Sequence, residues 1–120
     1  MPDATIDATT FAELLETVGG DREFLAELVE TYLADSPGLF GKLKQAIAEG
    51  DAATARRAAH TLKSTSATFG ANDLAAQCRD IEAAAAAGDL TGLDGRVASA
   101  EAAYAQVEAA LRVSLAGKTT

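Results

Sequence analysis

Three times along the chain a glycine is followed directly by an aspartate, at Gly20-Asp21, Gly50-Asp51 and Gly88-Asp89, and each pair follows one helical pattern and precedes another. The pairing has a physical cause. Glycine adopts the left-handed conformation that closes a helix, and aspartate accepts hydrogen bonds from the free amides of the next helix while complementing its dipole. Gly70 with Asn72 makes a fourth boundary of the same kind. These signals cut the chain into a short N-terminal helix and four longer helical segments, and none of the connections is long enough to separate domains. A single domain over residues 1–120 is expected, ordered over about 9–115, with 1–6 and 117–120 flexible.

The apolar residues keep helical time between these boundaries. Phe24, Leu25, Leu28, Val29, Tyr32 and Leu33 recur at three- and four-residue steps, and Leu39, Phe40, Leu43 and Ile47 resume the pattern after Ser36-Pro37-Gly38. Because proline lacks an amide and disfavours helical geometry in the residue before it, this stretch is expected to be two helices or one helix with a kink at Pro37. Leu74, Cys78, Ile81 and Ala85 form one further stripe, and Leu90, Leu93, Val97, Tyr104, Val107 and Leu111 another. The composition agrees: 29 alanines against 6 aromatic residues and 2 prolines favour closely packed helices over sheets. The expected fold is all-α, an antiparallel four-helix bundle with an additional short N-terminal helix.

Charge and rare residues narrow the function. Eighteen acids against ten bases give a formal charge of −8 with no basic stripe to offset it, which disfavours nucleic acid and anionic membrane as partners. The N-terminus lacks the basic region and apolar core of a signal peptide. The longest apolar run, Ala83 to Ala87, falls far short of the roughly 20 residues that span a bilayer. A cytoplasmic monomer is expected. A lone cysteine, Cys78, forms no internal disulfide, and with the lone histidine, His60, it makes no structural metal site, so no metal and no cofactor are assigned to the chain.

His60 lies in the segment Ala52 to Phe69, AATARRAAHTLKSTSATF, where Ala55, Ala59, Leu62, Ser66 and Phe69 fall on the one stripe that carries large apolar groups. That stripe faces the core, and His60, about 200° round the helix from Leu62, faces solvent. Arg56 stands four residues before it, Lys63 three after, Ser64 four after and Ala67 seven after. Arg56, Arg57 and Lys63 are expected to disfavour the imidazolium form, leave a neutral nucleophilic ring and attract an incoming phosphoryl group. Ala53, Ser64 and Ala67 are small and leave the ring open to a partner. Taken alone, such a histidine among basic residues is more often a merely solvated face than a site.

The surrounding run changes that balance. His60-Thr61-Leu62-Lys63-Ser64-Thr65-Ser66-Ala67-Thr68-Phe69-Gly70-Ala71 resembles the signature of histidine-containing phosphotransfer (HPt) domains. The upstream GGDREFLAELVETYLADSP and the downstream LAAQC, IE and GDL are similar to that family too, so the resemblance runs from about residue 9 to 115. It implies that His60 accepts a phosphoryl group on a ring nitrogen from an aspartate of a response-regulator receiver domain, or donates it to one, and that Lys63 lies beside that group. It also implies partnership with a hybrid histidine kinase, partner contacts through Arg56, Arg57, Ser64 and Ala67, and Mg²⁺ held by the receiver rather than by this chain. The chain would be a phosphoryl carrier without kinase activity of its own. Consistent with that, it has no GxxxxGKS/T loop, no GxGxxG turn and no second catalytic group beside His60 in sequence. Two alternatives stay open: a non-phosphorylated helical adaptor, or a module cut from a larger hybrid sensor kinase. The initiator methionine and the AGKTT tail favour a free-standing protein.

Ser64 departs from the family, which has glycine four residues after the histidine. It is read as a tolerated small residue, with a hydroxyl that bonds the imidazole or the phosphoryl oxygens as the sharper alternative. Ser66 is expected to bond back to the Leu62 carbonyl, and Cys78 to be a buried small hydrophobe. Gln77 and Glu82 are positioned to border the histidine face but read as solvated surface. Phe24, Leu25 and Phe40 read as core, with the long helix before His60 as the source of any exposed apolar anchor for a receiver.

Overall fold

The computed structural model describes residues 5–116, which form five helices: α1 (Ala8–Thr17), α2 (Arg22–Glu49), α3 (Ala52–Thr68), α4 (Asn72–Ala86) and α5 (Leu93–Ala116). The four long helices make the expected bundle and α1 is the short additional one. Of the residues expected to be flexible, 1–4 and 117–120 lie outside the described range, and Ile6 is half-buried and packs against the core.

Two of the Gly-Asp pairs act as anticipated. The Asp21 carboxylate accepts from Phe24 N at 3.0 Å and that of Asp51 from Thr54 N at 3.1 Å. Gly50 closes α2 at φ 73°, a conformation in which an L side chain would be strained. The other two boundaries differ. The Asp89 carboxylate accepts from Thr91 N inside a turn, and α5 begins only at Leu93, after Gly92 at φ 72°. Asn72 is the first residue of α4 rather than its cap; Ala71 precedes it and makes no side-chain capping bond. The Gly70 turn serves tertiary structure instead. Its carbonyl accepts from Asp7 N at 2.8 Å, so the start of α1 docks on it, and a Cβ at Gly70 would lie 2.9 Å from the Asp7 carbonyl oxygen.

Pro37 neither divides α2 nor leaves its partner carbonyl stranded: the helix is continuous from Arg22 to Glu49. Proline removes the amide that would bond to the carbonyl four residues earlier, that of Leu33. Tyr104 on α5 supplies the replacement, its hydroxyl donating to Leu33 O at 3.3 Å. One residue before the proline, the buried Ser36 hydroxyl donates to Tyr32 O at 2.7 Å. The break that the sequence leads one to expect is thus bridged from a neighbouring helix.

The core runs through all four long helices. Leu25, Val29, Phe40 and Leu43 of α2, Ala55, Ala59 and Leu62 of α3, Leu74, Cys78 and Ile81 of α4, and Leu93, Val97, Val107 and Leu111 of α5 are buried. Alanines at 55, 58 and 59 let α3 approach its neighbours closely, and the large residues of α2 and α4 fill the space beside it. Cys78 is fully buried, as expected of a small hydrophobe, and burial pushes its thiol up to about 12, so it stays protonated at neutral pH. Phe24, expected in the core, is instead 46% exposed, because Leu25 takes the inward position at that level of α2.

Ser66 also departs from expectation. Its hydroxyl pairs with the Tyr32 hydroxyl at 2.8 Å rather than with the Leu62 carbonyl, in a pocket closed by Phe69, whose ring centroid lies 5.0 Å from that of Tyr32. Desolvation raises the Tyr32 phenol well above its ordinary value, so it remains a neutral hydrogen-bonding group. Tyr32→Phe should cost about 1–2 kcal/mol in urea denaturation, because it leaves a buried hydroxyl with only a local carbonyl to turn to. The double change with Ser66→Ala should recover part of that loss. Full stability in the single variant would show that the pair contributes nothing.

Candidate functional site

Residue 60 stands on the exposed side of α3. Leu62 and Ala59, two residues after and one before, are fully buried, and this fixes the rotation of α3 and turns the His60 ring outward, 55% exposed. Arg56, Arg57, Ser64 and Ala67 share that outward face and are all exposed, as the helical wheel predicts.

What the wheel does not show is the group that meets the ring. Glu82, on α4, places Oε2 2.8 Å from His60 Nδ1 and Oε1 2.8 Å from Lys63 Nζ. One carboxylate therefore joins a histidine and a lysine one turn apart on α3. Glu82 is no solvated surface acid: its side chain is 17% exposed. The Lys63 ammonium first, and the His60 ring as well, hold its carboxyl below the ordinary carboxylate value, against the opposing effect of partial burial. Glu82 is the residue that sequence reasoning set aside and that the structure brings to the ring. Its only signal was position, one residue past the buried Ile81 and four past the buried Cys78, which puts it on the flank of the α4 stripe.

The pairing decides which ring nitrogen can react. An ionised carboxylate only accepts hydrogen bonds, so Nδ1 must carry the proton it donates to Glu82. The neutral ring then keeps its lone pair on Nε2, which has no hydrogen-bond partner among the described residues and faces solvent. Nδ1–H held by a carboxylate also fixes the ring's tautomer and orientation. The basic residues that the sequence places round the ring are engaged differently from one another. Lys63 is neutralised by Glu82, Arg57 donates to Thr54 Oγ1 at 3.1 Å, and Arg56 makes no ion pair or hydrogen bond among the described residues. Ser64 Oγ likewise has no hydrogen bond to the ring, while the hydroxyls of Thr65 and Thr68 donate to the carbonyls one turn back, of Thr61 and Ser64.

Beside this cluster, α2 and α3 enclose a shallow apolar groove lined by Leu28, Tyr32, Leu39, Thr61, Thr65 and Phe69. It continues toward the start of α3 as a more polar depression that includes Lys42, Glu49 and Arg57 and shares Leu39 and Thr61 with the first. Thus α2 does present partly exposed apolar residues near the histidine, Leu28 and Leu39, while Phe40 is core as expected. Among the described residues no group of three or more His, Cys, Asp or Glu side chains could hold a metal ion.

Comparison with known proteins identifies the family and the fold. The family model described as Hpt domain matches residues 27–112. The structure of histidine-containing phosphotransfer protein B (HptB) from Pseudomonas aeruginosa PAO1 superimposes with a TM-score of 0.86 at 26% identity, covering 95% of this chain and 96% of that one. The HPT domain of a sensor hybrid histidine kinase from Shewanella shares the fold, with a TM-score of 0.74 at 19% identity over 98% of each chain. The search of curated proteins gives no significant match. An exposed histidine, a neighbouring lysine and a family match that spans both, on the bundle those structures share, lead to one conclusion: the chain belongs to the Hpt domain family, and its role is histidine phosphotransfer in phosphorelays.

Proposed function

We propose that His60 is the phosphoryl-accepting residue and that it exchanges the group through Nε2 with an aspartyl phosphate of a receiver domain. The observation that carries this reading is the Nδ1 hydrogen bond to Glu82 at 2.8 Å on a ring otherwise open to solvent. It supplies an oriented nucleophile whose reactive nitrogen projects outward, where a phosphoryl group on another protein can be met in line. No second base is needed, because the attacking nitrogen carries no proton to remove.

In this reading the chain is a carrier. It supplies the nucleophile and one cation, and the receiver supplies the acyl phosphate and the Mg²⁺ that neutralises it; it has no kinase activity of its own. The groove between α2 and α3 offers apolar surface beside His60 for a receiver, free or within a hybrid histidine kinase, with Arg56, Arg57, Ser64 and Ala67 at the contact. The net charge of −8 supports a partner that is neither nucleic acid nor membrane, and no helix among the described residues is long and apolar enough to cross a membrane. We place the chain in the cytoplasm as a monomer.

Incubation with a phosphorylated receiver tests the assignment. An acid-labile, base-stable phosphoryl adduct that maps to His60 is expected, and an adduct elsewhere, or none with any receiver, would sink it. Lys63→Ala should slow transfer about two- to threefold, since the ammonium is already paired with Glu82 at 2.8 Å and only part of its charge is available to the moving phosphoryl group. Rapid-quench kinetics with one receiver would measure it, and an unchanged rate would show that the charge is incidental.

A further inference from the structure

Lys63 is not free to meet a phosphoryl group. Its ammonium is 2.8 Å from Glu82 Oε1, and the other oxygen of that carboxylate is 2.8 Å from Nδ1, so the lysine is tied to the carboxylate that holds Nδ1. We propose that Glu82 acts as a latch on Lys63, which must exchange the carboxylate for the phosphoryl oxygens when Nε2 is phosphorylated, so that Glu82 masks much of the lysine's hold on the phosphoryl group. The inference rests on His60 as the acceptor. It concerns the positioning of Lys63, not the identity of the reacting atom.

The charges make the exchange workable. In the transfer, the Nε2 lone pair forms the bond to phosphorus as the bond from phosphorus to the aspartyl oxygen breaks, and the electron pair leaves with the aspartate as carboxylate. The Nδ1 proton stays where it is, so the phosphorylated ring gains a formal positive charge directly against Glu82. Before transfer the single negative charge of Glu82 has one full cation to balance it, Lys63; afterwards it has two. Lys63 becomes the surplus cation at the moment a doubly charged phosphoryl group appears on the other side of the ring. The remaining charged side chains on this face of α3, Arg56 and Arg57, make no contact with Glu82 and do not replace Lys63 in the pair. On α4, the element packed against this side of α3, Glu82 is the acid that faces the ring. Because part of the lysine's attraction is spent on displacing a carboxylate, the phosphoryl group is held less firmly than an unlatched lysine would hold it, which suits a carrier that must release its cargo.

A double-mutant cycle on the equilibrium, rather than the rate, tests this. The full chain is incubated with a phosphorylated receiver to equilibrium, and the ratio of phosphohistidine to aspartyl phosphate is measured for wild type, Lys63→Ala, Glu82→Gln and the double variant. In the presence of Glu82, Lys63→Ala should lower the ratio no more than about threefold, whereas in the Glu82→Gln background the same change should lower it about tenfold or more, consistent with one released charge-assisted contact. An effect of Lys63→Ala that is equal in the two backgrounds, or smaller in Glu82→Gln, would overturn the proposal and show that the carboxylate is indifferent to the lysine or positions it for the phosphoryl group. Should Glu82→Gln lower helicity by circular dichroism, Glu82→Ala is read in its place with the same expectation. Failure of the underlying assignment looks different, since wild type would then carry no phosphohistidine at all.

Discussion

His60→Gln should abolish phosphoryl acceptance, lowering transfer from a phosphorylated receiver by about a thousandfold or more, as removal of a sole nucleophile does. The same variant should melt within a degree or two of wild type. The ring is 55% exposed and its one hydrogen bond among the described residues is to the Glu82 carboxylate, to which a glutamine amide N–H can also donate. Scanning calorimetry beside a transfer assay would show both halves of the expectation. Acceptance by the variant would remove His60 from the chemistry. Retained binding of a receiver without transfer would separate docking from reaction, and it also discriminates against a helical adaptor that never carries phosphate, since wild type and variant would then be indistinguishable.

Leu62→Ala should do the reverse. Leu62 is fully buried, two residues from His60 on the opposite side of α3, within the cluster that joins α2, α4 and α5. Truncation removes its burial and leaves a cavity that helices on several sides cannot all close, at a cost of about 2–5 kcal/mol. For a domain of this size that is a large part of the total stability, and urea denaturation should show a lowered midpoint with little change in slope. At temperatures where the variant remains folded, transfer through His60 should continue within a few-fold of wild type, because the ring and its Glu82 partner lie on the side of α3 away from Leu62. A loss smaller than about 1 kcal/mol would contradict the tight packing of α3. The two substitutions, two residues apart on one helix, thus divide function from stability.

Much of this division was legible in the sequence because it depends on one helix at a time. Period and capping identify each helix, and a buried stripe at 55, 59, 62, 66 and 69 dictates by angle alone that residue 60 turns outward. The same arithmetic placed Leu74, Cys78, Ile81 and Ala85 inward on α4. It was less sure where a cap or a core position has competing candidates: Leu25 rather than Phe24 fills the core, and Asp89 closes a turn rather than opening a helix.

Tertiary structure alone decided the contacts between helices. Glu82 reaches both His60 and Lys63, Ser66 pairs with Tyr32 instead of its own helix, and Tyr104 satisfies the carbonyl that Pro37 leaves free. Periodicity gives the angle of a side chain about its own axis and says nothing of how far one helix slides or turns against the next. That offset is set by the packing of whole stripes, here alanines of α3 against the larger residues of α2 and α4. The sequence by itself determined that this chain is a helical bundle with one histidine presented to solvent. The packing of α4 on α3 decided which nitrogen of that histidine is engaged and which is left open, because only the bundle brings a carboxylate from another helix to the ring.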